Sequence, residues 1–424
     1  MIGLGKIGLP LAVQIASKNN NVVGLEINPK LIDDINNGVC PFPEESNLQE
    51  RLTQVIQNGN FIATKSLEFA VNDSNVILFA IPLFTNMLNE PDFENYDQLI
   101  ESISASVSEN TLLLFETTLP VGTTRNRFMK LVTAKSKLIS GKNIFGAFSP
   151  ERVTTGRVFS DLRKYPKIVG GIDVESSRRA KEFYEQILEF DTRPELEKPN
   201  GVWEVESSET AEFVKLAETT FRDVNIGLAN QFAIHANHHG ISFDEVRLCA
   251  NSQPYSSIHE PGIAVGGHCI PVYPHFYTHS DKTASIVLSA REVNSKMPLF
   301  FVGEIEKAFG NLEGVKVLIL GISYRENVKE SAYSGSLVLL GILKSKNALI
   351  YAMDSKYDFD EIQNLGFNPH FDKSEIDVVV VQTKDLEFRT IDFKEFISLK
   401  LIADGRNFLK DVVSDMKIDY FSLG

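Results

Sequence analysis

Cysteine is scarce in this chain: Cys40, Cys249 and Cys269 are the three thiols in 424 residues. That is too few for a disulfide framework and fits a reducing compartment. Long apolar runs are missing as well. Nothing approaches the ~18 consecutive apolar residues of a membrane-spanning helix. The first residues lack the basic stretch and small-residue cleavage site of a secretory signal. Positive charge is in deficit, with 42 Lys and Arg against 56 Asp and Glu, a net charge of -14. Such a balance argues against nucleic acid or an anionic membrane as partner, yet local cations can still bind an anionic small ligand. His235, His238 and His239 have no matching set of acidic or thiol partners, so they read as surface residues and no metal site is expected. No solenoid-period repeat or low-complexity tract occurs. Together these absences predict a cytoplasmic protein.

The remaining composition, 43% apolar and 23% charged, is that of a soluble globular protein. The length suggests two to three domains. Gly3, Gly5 and Gly8 form G-x-G-x-x-G ahead of a helical pattern, and the strand Asn21 to Leu25 ends in Glu26, 18 positions after Gly8. In a dinucleotide fold the glycines allow a tight turn, close approach of a pyrophosphate and helix–strand contact, and the acid binds a ribose hydroxyl. An acid there repels a 2′-phosphate, so NAD is favoured over NADP. A glycine-rich turn without ligand is the plainer alternative. Only Met1 and Ile2 precede Gly3, where a first strand of about five residues is expected. Omitting it would leave a gap between its neighbours, and the expectation is that the natural chain begins several residues earlier.

Apolar runs at 75–81 and 111–116 continue a βα rhythm and predict a parallel sheet covered on both faces. Ligands bind at the carboxyl ends of such strands, which puts Thr118 and Ser149-Pro150-Glu151-Arg152 on the rim. Position alone equally allows Thr118 as a helix cap and Glu151 as a solvated charge. Ser207 or Ser208, Glu209 and Gly240 bracket a helix of about 30 residues, on which Val214, Ala217, Phe221, Val224, Leu228 and Phe232 recur at three- and four-residue steps. Lys215, Thr219 and Arg222 share one of its faces. A second α/β unit starts near Gly314, with strands expected at 315–321, 348–351, 377–381 and 399–403. It lacks G-x-G-x-x-G, so another ligand moiety is expected there. Arg325 and Arg406 fall just beyond strand ends, where a diphosphate could sit, or they are solvated surface arginines.

The most suggestive stretch is Gly266-Gly267-His268-Cys269-Ile270-Pro271. Its glycines allow close approach of backbone to ligand and its proline stiffens the exit. A thiol on such a shaped loop is a candidate nucleophile, provided its surroundings favour the thiolate.

Taken in order, Gly3-x-Gly5-x-x-Gly8-Leu9-Pro10, Thr118-Leu119-Pro120-x-Gly122-Thr123-Thr124, Ser149-Pro150-Glu151-Arg152-Val153, the Lys215 helix with Arg222-Asp223-Val224-Asn225, and Gly266 to Pro271 resemble the UDP-glucose/GDP-mannose 6-dehydrogenase family across nearly the whole chain. The wording is most similar to its branch oxidising UDP-N-acetylhexosamines, particularly UDP-N-acetylmannosamine. The resemblance implies two Rossmann-like, doubly wound α/β domains joined by a long central helix and a helical middle. The expected spans are 1–195 for NAD, 203–300 for the helical, dimerising domain with Lys215 and Cys269, and 312–424 for the UDP-sugar. It also implies a homodimer or higher homo-oligomer.

The implied chemistry is four-electron oxidation of the sugar C6 alcohol to a carboxylate, for cell-surface polysaccharide precursors. Cys269 would form a thiohemiacetal and then a thioester, with Lys215 stabilising the oxyanion. Glu151, Thr118 and Thr219 complete the implied catalytic set. Lys6, Ile7, Glu26, Thr118 and Lys329 match cofactor contacts beside the glycines. Glu151, Arg152, Val153, Lys215, Thr219, Arg222, Tyr255, Gly266, Gly267, Tyr324, Arg325 and Arg406 match substrate contacts. The sequence departs from the pattern at four places. Thr219 replaces an asparagine, Tyr273 replaces an aspartate, and Tyr255 stands where the branch has an arginine. The Asp-x-Arg-Glu-Ser pattern is shortened to Lys329-Glu330-Ser331. UDP-glucose or UDP-N-acetylglucosamine as substrate, a two-electron oxidoreductase, and a non-catalytic nucleotide-sugar-binding protein stay open as alternatives.

Overall fold

The computed structural model describes residues 1–424, and the chain folds as two compact units, residues 1–218 with 275–280 and residues 219–274 with 281–424. The first unit holds β1 (Val22–Leu25), β2 (Phe61–Thr64), β3 (Val76–Phe79), a small antiparallel pair β4 (Phe84–Thr85) and β5 (Pro91–Asp92), β6 (Leu112–Phe115), β7 (Phe145–Phe148), β8 (Lys167–Gly171) and β9 (Val202–Glu204). β2 pairs with β1, and β3, β6, β7, β8 and β9 follow in that order. Ile2 forms parallel bridges to both Leu25 and Phe79, and the Met1 amino nitrogen donates to the Val23 carbonyl at 2.9 Å. These bridges span only the carboxyl ends of β1 and β3, and no ladder joins the two strands where the first strand is expected. β8 runs antiparallel to β7, whereas the apolar pattern predicted parallel strands throughout. An apolar run carries no mark of its direction, so this reversal was not legible.

Both faces of this sheet are covered, which is why its strands are apolar end to end. Leu112, Leu114, Phe145 and Ala147 pack with Leu9, Ala12 and Val13 of the helix Gly8–Ala16. On the other face Phe79 stacks on Phe115 and Tyr96 on Phe128, with ring centroids 4.6 and 4.7 Å apart. Each fully buried ring contributes roughly 1.5–3 kcal/mol.

The second unit carries five parallel strands, β10 (Lys316–Leu320), β11 (Leu349–Met353), β12 (Val378–Val381), β13 (Leu401–Asp404) and β14 (Asp419–Ser422), in the order β11-β10-β12-β13-β14. Alternate residues serve opposite faces. Val317, Ile319, Val378 and Val380 meet Phe301 and Ile305, while Leu318, Leu320, Val379 and Val381 meet Phe388 and Phe393. The edge strand β14 is half-exposed and mixed in character, and no apolar run marks it in the sequence.

The long helix spans Ser208–His238, 31 residues, starting in the first unit and ending in the second. Ser207 Oγ accepts the Thr210 amide at 3.2 Å. At the far end Gly240 takes φ +65°, and the Ile241 and Gly240 amides donate to the carbonyls of Ala236 and Asn237, a left-handed C-terminal closure. Its buried face differs from the one its apolar periodicity suggested. Glu212, Lys215, Thr219, Asp223 and Asn230 are buried, while Phe221, Leu228 and Phe232 are 58%, 44% and 40% exposed. No helix is long and apolar enough to cross a membrane.

Candidate active site

The glycine turn of the first unit is set by contact. Gly3 has φ +90°, and a Cβ on Gly8 would lie 2.1 Å from the Gly3 carbonyl oxygen. The helix Gly8–Ala16 starts with Ile7 at its cap and no side chain bonded to its first amides. Uncapped amides at a helix start, on a turn without side chains at Gly3 and Gly5, suit a pyrophosphate. Glu26 follows β1, and its carboxylate accepts the amides of Leu4, Ile27 and Asn28 at 3.2, 2.8 and 3.0 Å. That network fixes the half-buried acid beside the turn, as a ribose diol requires. Lys6 pairs with Glu44 at 3.3 Å. These residues fit a bound NAD.

Beyond β6 and β7 the same unit assembles a cluster of charges. Thr118 is buried, and so is Lys215 on the long helix. Lys167, which opens β8, is 5% exposed, and its Nζ lies 2.9 Å from both Glu116 and Glu151. Glu151 also accepts the amides of Arg152 and Val153, at 2.6 and 3.0 Å. The Arg152 guanidinium turns to Glu218 at 2.9 Å. Tyr184 donates to Glu116. Burial drives the Glu116 carboxyl up to about 7, with Lys167 opposing it and Glu151 adding to it. Burial acts on Glu151 in the same sense, but the charge and hydrogen bonds of Lys167 prevail and hold it below the usual carboxylate range.

In the second unit the loop bearing Cys269 is pressed onto residues 324–333. A Cβ on Gly266 would stand 2.5 Å from Tyr324 Cβ, and Gly267, at φ +86°, would meet the Tyr324 ring at 3.1 Å. The Gly267 amide donates to the Ala332 carbonyl at 2.9 Å, and His268 Nε2 lies 3.3 Å from Glu330. Cys269 is exposed. Its carbonyl accepts the amides of Val272 and Tyr273, which turns the chain just after the thiol. Tyr324 and Arg325 are half-buried beyond β10, and Arg325 Nε donates to the Tyr324 hydroxyl at 3.1 Å. Half-buried Arg406, beyond β13, donates to the Gln382 carbonyl at 3.0 Å and sits against Gly262. Thr219 is buried and Arg222 exposed on the long helix. Tyr255 is 95% exposed, away from any core. Lys329 bonds both oxygens of Glu361, at 2.6 and 2.7 Å, a partner the resemblance did not imply.

Three family models match the chain in order. They are the NAD binding domain of the UDP-glucose/GDP-mannose dehydrogenase family over residues 1–188, its central domain over 209–296 and its UDP binding domain over 318–411. A UDP-N-acetyl-D-mannosamine dehydrogenase of Pyrococcus horikoshii is 30% identical over 423 residues, covering 97% of this chain and 96% of that protein. The chain belongs to the UDP-glucose/GDP-mannose dehydrogenase family. A second relative, the UDP-N-acetyl-D-mannosamine dehydrogenase of Methanocaldococcus jannaschii, is 32% identical over 96% of this chain and 92% of its own length. The solved UDP-D-ManNAc dehydrogenase of Pyrococcus horikoshii superposes with a TM-score of 0.87 at 28% identity, covering all of this chain and 98% of that one. As a UDP-glucose/GDP-mannose dehydrogenase family member, the chain is an NAD-dependent nucleotide-sugar oxidoreductase acting on a UDP-sugar.

Several residues of this family member escaped the sequence reading. Glu116, Lys167 and Tyr184 form the buried charge cluster, and Asp223 anchors Arg291 at 2.7 Å and Asn294 at 2.9 Å beneath Arg222 in sequence. A signal existed for two of them. Glu116 ends, and Lys167 opens, a run of apolar strand residues, and a charge so placed needs a partner.

Proposed function

We propose that this enzyme oxidises the C6 alcohol of a UDP-N-acetylhexosamine, with UDP-N-acetylmannosamine favoured, to the uronate through covalent attachment to Cys269. The observation that carries the reading is the exposed Cys269 on a loop whose two glycines are locked against Tyr324 and Ala332. The names of the relatives support the sugar, and the retained Cys269, Lys215 and Glu151 support the chemistry. Bound NAD accepts the hydrides. Gly3, Gly5, Gly8, Lys6, Ile7 and Glu26 hold it. Lys329 lies in the UDP-binding half, and its contact with Glu361 argues for a structural part there.

In this reading Arg325 and Arg406 neutralise the diphosphate, and Arg152, Val153, Arg222, Gly266, Gly267, Tyr324 and Tyr255 line the nucleotide-sugar. The C6 hydroxyl loses its proton and the C6 carbon a hydride, which gives the aldehyde. The Cys269 thiolate adds to that carbonyl, and Lys215 and Thr219 donate to the oxygen that becomes charged. Loss of a second hydride yields a thioester. Water, oriented by Glu151 and Thr118, displaces the sulfur and leaves the carboxylate. Overall, the alcohol and one water give the carboxylate and three protons as two hydrides depart. Tyr273 in place of an aspartate brings no carboxylate base to that last step.

The outward stripe of Phe221, Leu228 and Phe232 supports a homodimer or higher homo-oligomer formed through the long helix. The domain spans 1–195, 203–300 and 312–424, a cytoplasmic location and a role in surface-polysaccharide precursor synthesis belong to the same proposal. The test is NADH formation, read by absorbance, with UDP-N-acetylmannosamine, UDP-N-acetylglucosamine, UDP-glucose and GDP-mannose. Two NADH per molecule of an N-acetylhexosamine is the expected result. One NADH per sugar would make it a two-electron oxidoreductase, and none, with UDP-sugar binding intact, a binding protein.

A further inference from the structure

We propose that Lys167 is a positioning residue for Glu151: pinned from behind by Glu116 and Tyr184, it holds the mostly buried carboxylate aimed and charged for the water-using step. The inference rests on the dehydrogenase reading above, and it assigns a part to a lysine outside the motifs quoted for the resemblance.

The reversed strand makes the contact possible. In the antiparallel register Phe148 pairs with Gly170 and Ala147 with Gly171, so the start of β8 lies past the carboxyl end of β7. Glu151 leaves β7 at that end, and Glu116 sits at the end of β6, which pairs with β7. A parallel β8 would have carried Lys167 to the amino ends of β6 and β7. The ammonium is fully enclosed yet reaches both carboxylates at 2.9 Å, and it lies 4.8 Å from the Tyr184 ring centroid.

Burying an ammonium is costly unless its partners are charged and well placed, so such a lysine is kept only where two carboxylates meet it. The three groups are not equivalent. The Glu116 and Lys167 side chains are 1% and 5% exposed, whereas that of Glu151 is 12% exposed and alone has a face toward solvent. Glu151 is aimed by three donors: two consecutive amides on one oxygen, Lys167 on the other. The charged groups facing it are Glu116 from β6, Lys167 from β8 and Arg152 from its own loop. The Arg152 side chain is engaged by Glu218 and by the Pro166 carbonyl at 3.3 Å. The neighbouring titratable hydroxyl is Tyr184, which points at Glu116. Removing the ammonium would leave two carboxylates facing each other in a dry pocket, and Glu151 would hold its proton to higher pH.

The test is the pH profile of kcat/KM for the full chain, using the UDP-sugar that the wild type oxidises best. Absence of NADH from the wild type with every sugar sinks the dehydrogenase reading itself, independently of Lys167. Given wild-type turnover, Lys167→Met is expected to move the acid limb up by about one pH unit or more. Lys167→Arg is expected to return the limb to its wild-type place at a lower kcat, because charge is restored but not the geometry. In a Glu151→Gln background Lys167→Met should cost almost nothing further, since it acts through that carboxylate. A limb that stays put in Lys167→Met while the thermal midpoint falls would assign the lysine to stability alone and overturn the proposal. Losses that add in the double variant would overturn it too. Should Lys167→Met fail to fold, Lys167→Gln keeps a hydrogen bond without the charge, and its acid limb decides by the same criterion. If that variant also fails, Lys167→Arg decides, an acid limb displaced from the wild type overturning the proposal and an undisplaced one with reduced kcat supporting it.

Discussion

The two Rossmann-like sheets begin alike and then diverge. Met1-Ile2 in one sheet and β10 in the other each run into a glycine with positive φ, +90° at Gly3 and +94° at Gly321. Each glycine donates its amide to the end of the neighbouring strand, Gly3 to Leu25 at 3.0 Å and Gly321 to Met353 at 2.9 Å. Each neighbouring strand is followed by an acid, Glu26 or Asp354, that accepts an amide from the turn. After that the first sheet starts its helix at Gly8, uncapped, while the second delays until Gly335 and caps with Ser334. Residues 322–334 between them carry Tyr324, Arg325 and Lys329. Glu26 is half-buried and bonded only through amides, whereas Asp354 is buried and paired with Lys356 at 2.9 Å. One frame thus serves two ligands. A short turn with an accessible acid suits a dinucleotide, and a long loop with its acid neutralised leaves recognition to loop side chains.

The largest effect is expected where the second unit's loop meets chemistry. Cys269→Ser should lower uronate formation by about a thousandfold or more while UDP-sugar binding, measured by calorimetry, persists. Normal turnover by that variant would refute the covalent route. Next comes a matched pair of glycines. Gly8→Ala would drive a methyl into the Gly3 carbonyl and should weaken NAD binding about a hundredfold, with about 3 kcal/mol lost in urea unfolding. Gly335→Ala meets the Gln382 side chain at 2.6 Å, which can rotate, so it should cost about 1 kcal/mol and leave NAD binding alone. Equal losses at the two glycines would erase the distinction between the turns.

The two acids separate more mildly. Glu26→Gln should raise the KM for NAD about tenfold with little change in stability. Asp354→Asn should instead cost about 2 kcal/mol of stability, read from denaturant midpoints, with the KM for NAD unchanged. The last effect depends on pH and concerns Glu212, whose carboxylate accepts the amides of Gly122 and Thr124 at 2.5 and 2.8 Å. Burial, opposed by those amides, pushes it up to about 7. Its contribution is therefore complete below the unfolded value and is lost as pH rises through about 7. Relative to Glu212→Gln, the wild type should gain about 1–2 kcal/mol on going from about pH 8 to pH 5.

The fold was legible where period and punctuation agreed. Gly3 to Gly8, the strand ending at Glu26, the apolar runs at 111–116 and 315–321, and the helix bounded by Ser207 and Gly240 all mark themselves locally. What escaped depends on partners distant in sequence. Lys167 reads as a charge at a strand start until β8 is known to run backwards. The apolar period of the long helix runs through Val214, Ala217, Phe221, Val224, Leu228 and Phe232, but burial of Lys215, Thr219 and Asp223 sets its inner face, and Asp223 finds Arg291 and Asn294, 68 and 71 residues away. Met1 to Gly3 bridge the carboxyl ends of β1 and β3: the Ile2 amide and carbonyl bond Leu78 and Ala80 on one side, and the Met1 carbonyl and Gly3 amide bond Leu25 on the other.

In the proposed route, the seating of Gly266 and Gly267 on Tyr324 ties the sulfur to the nucleotide end of the substrate. Because the same short segment supports the thiol loop and precedes Arg325, a sugar offered without its diphosphate would find the nucleophile less firmly aimed. Truncation of the donor should then slow turnover at saturation as well as loosen capture, a remote handle contributing to rate.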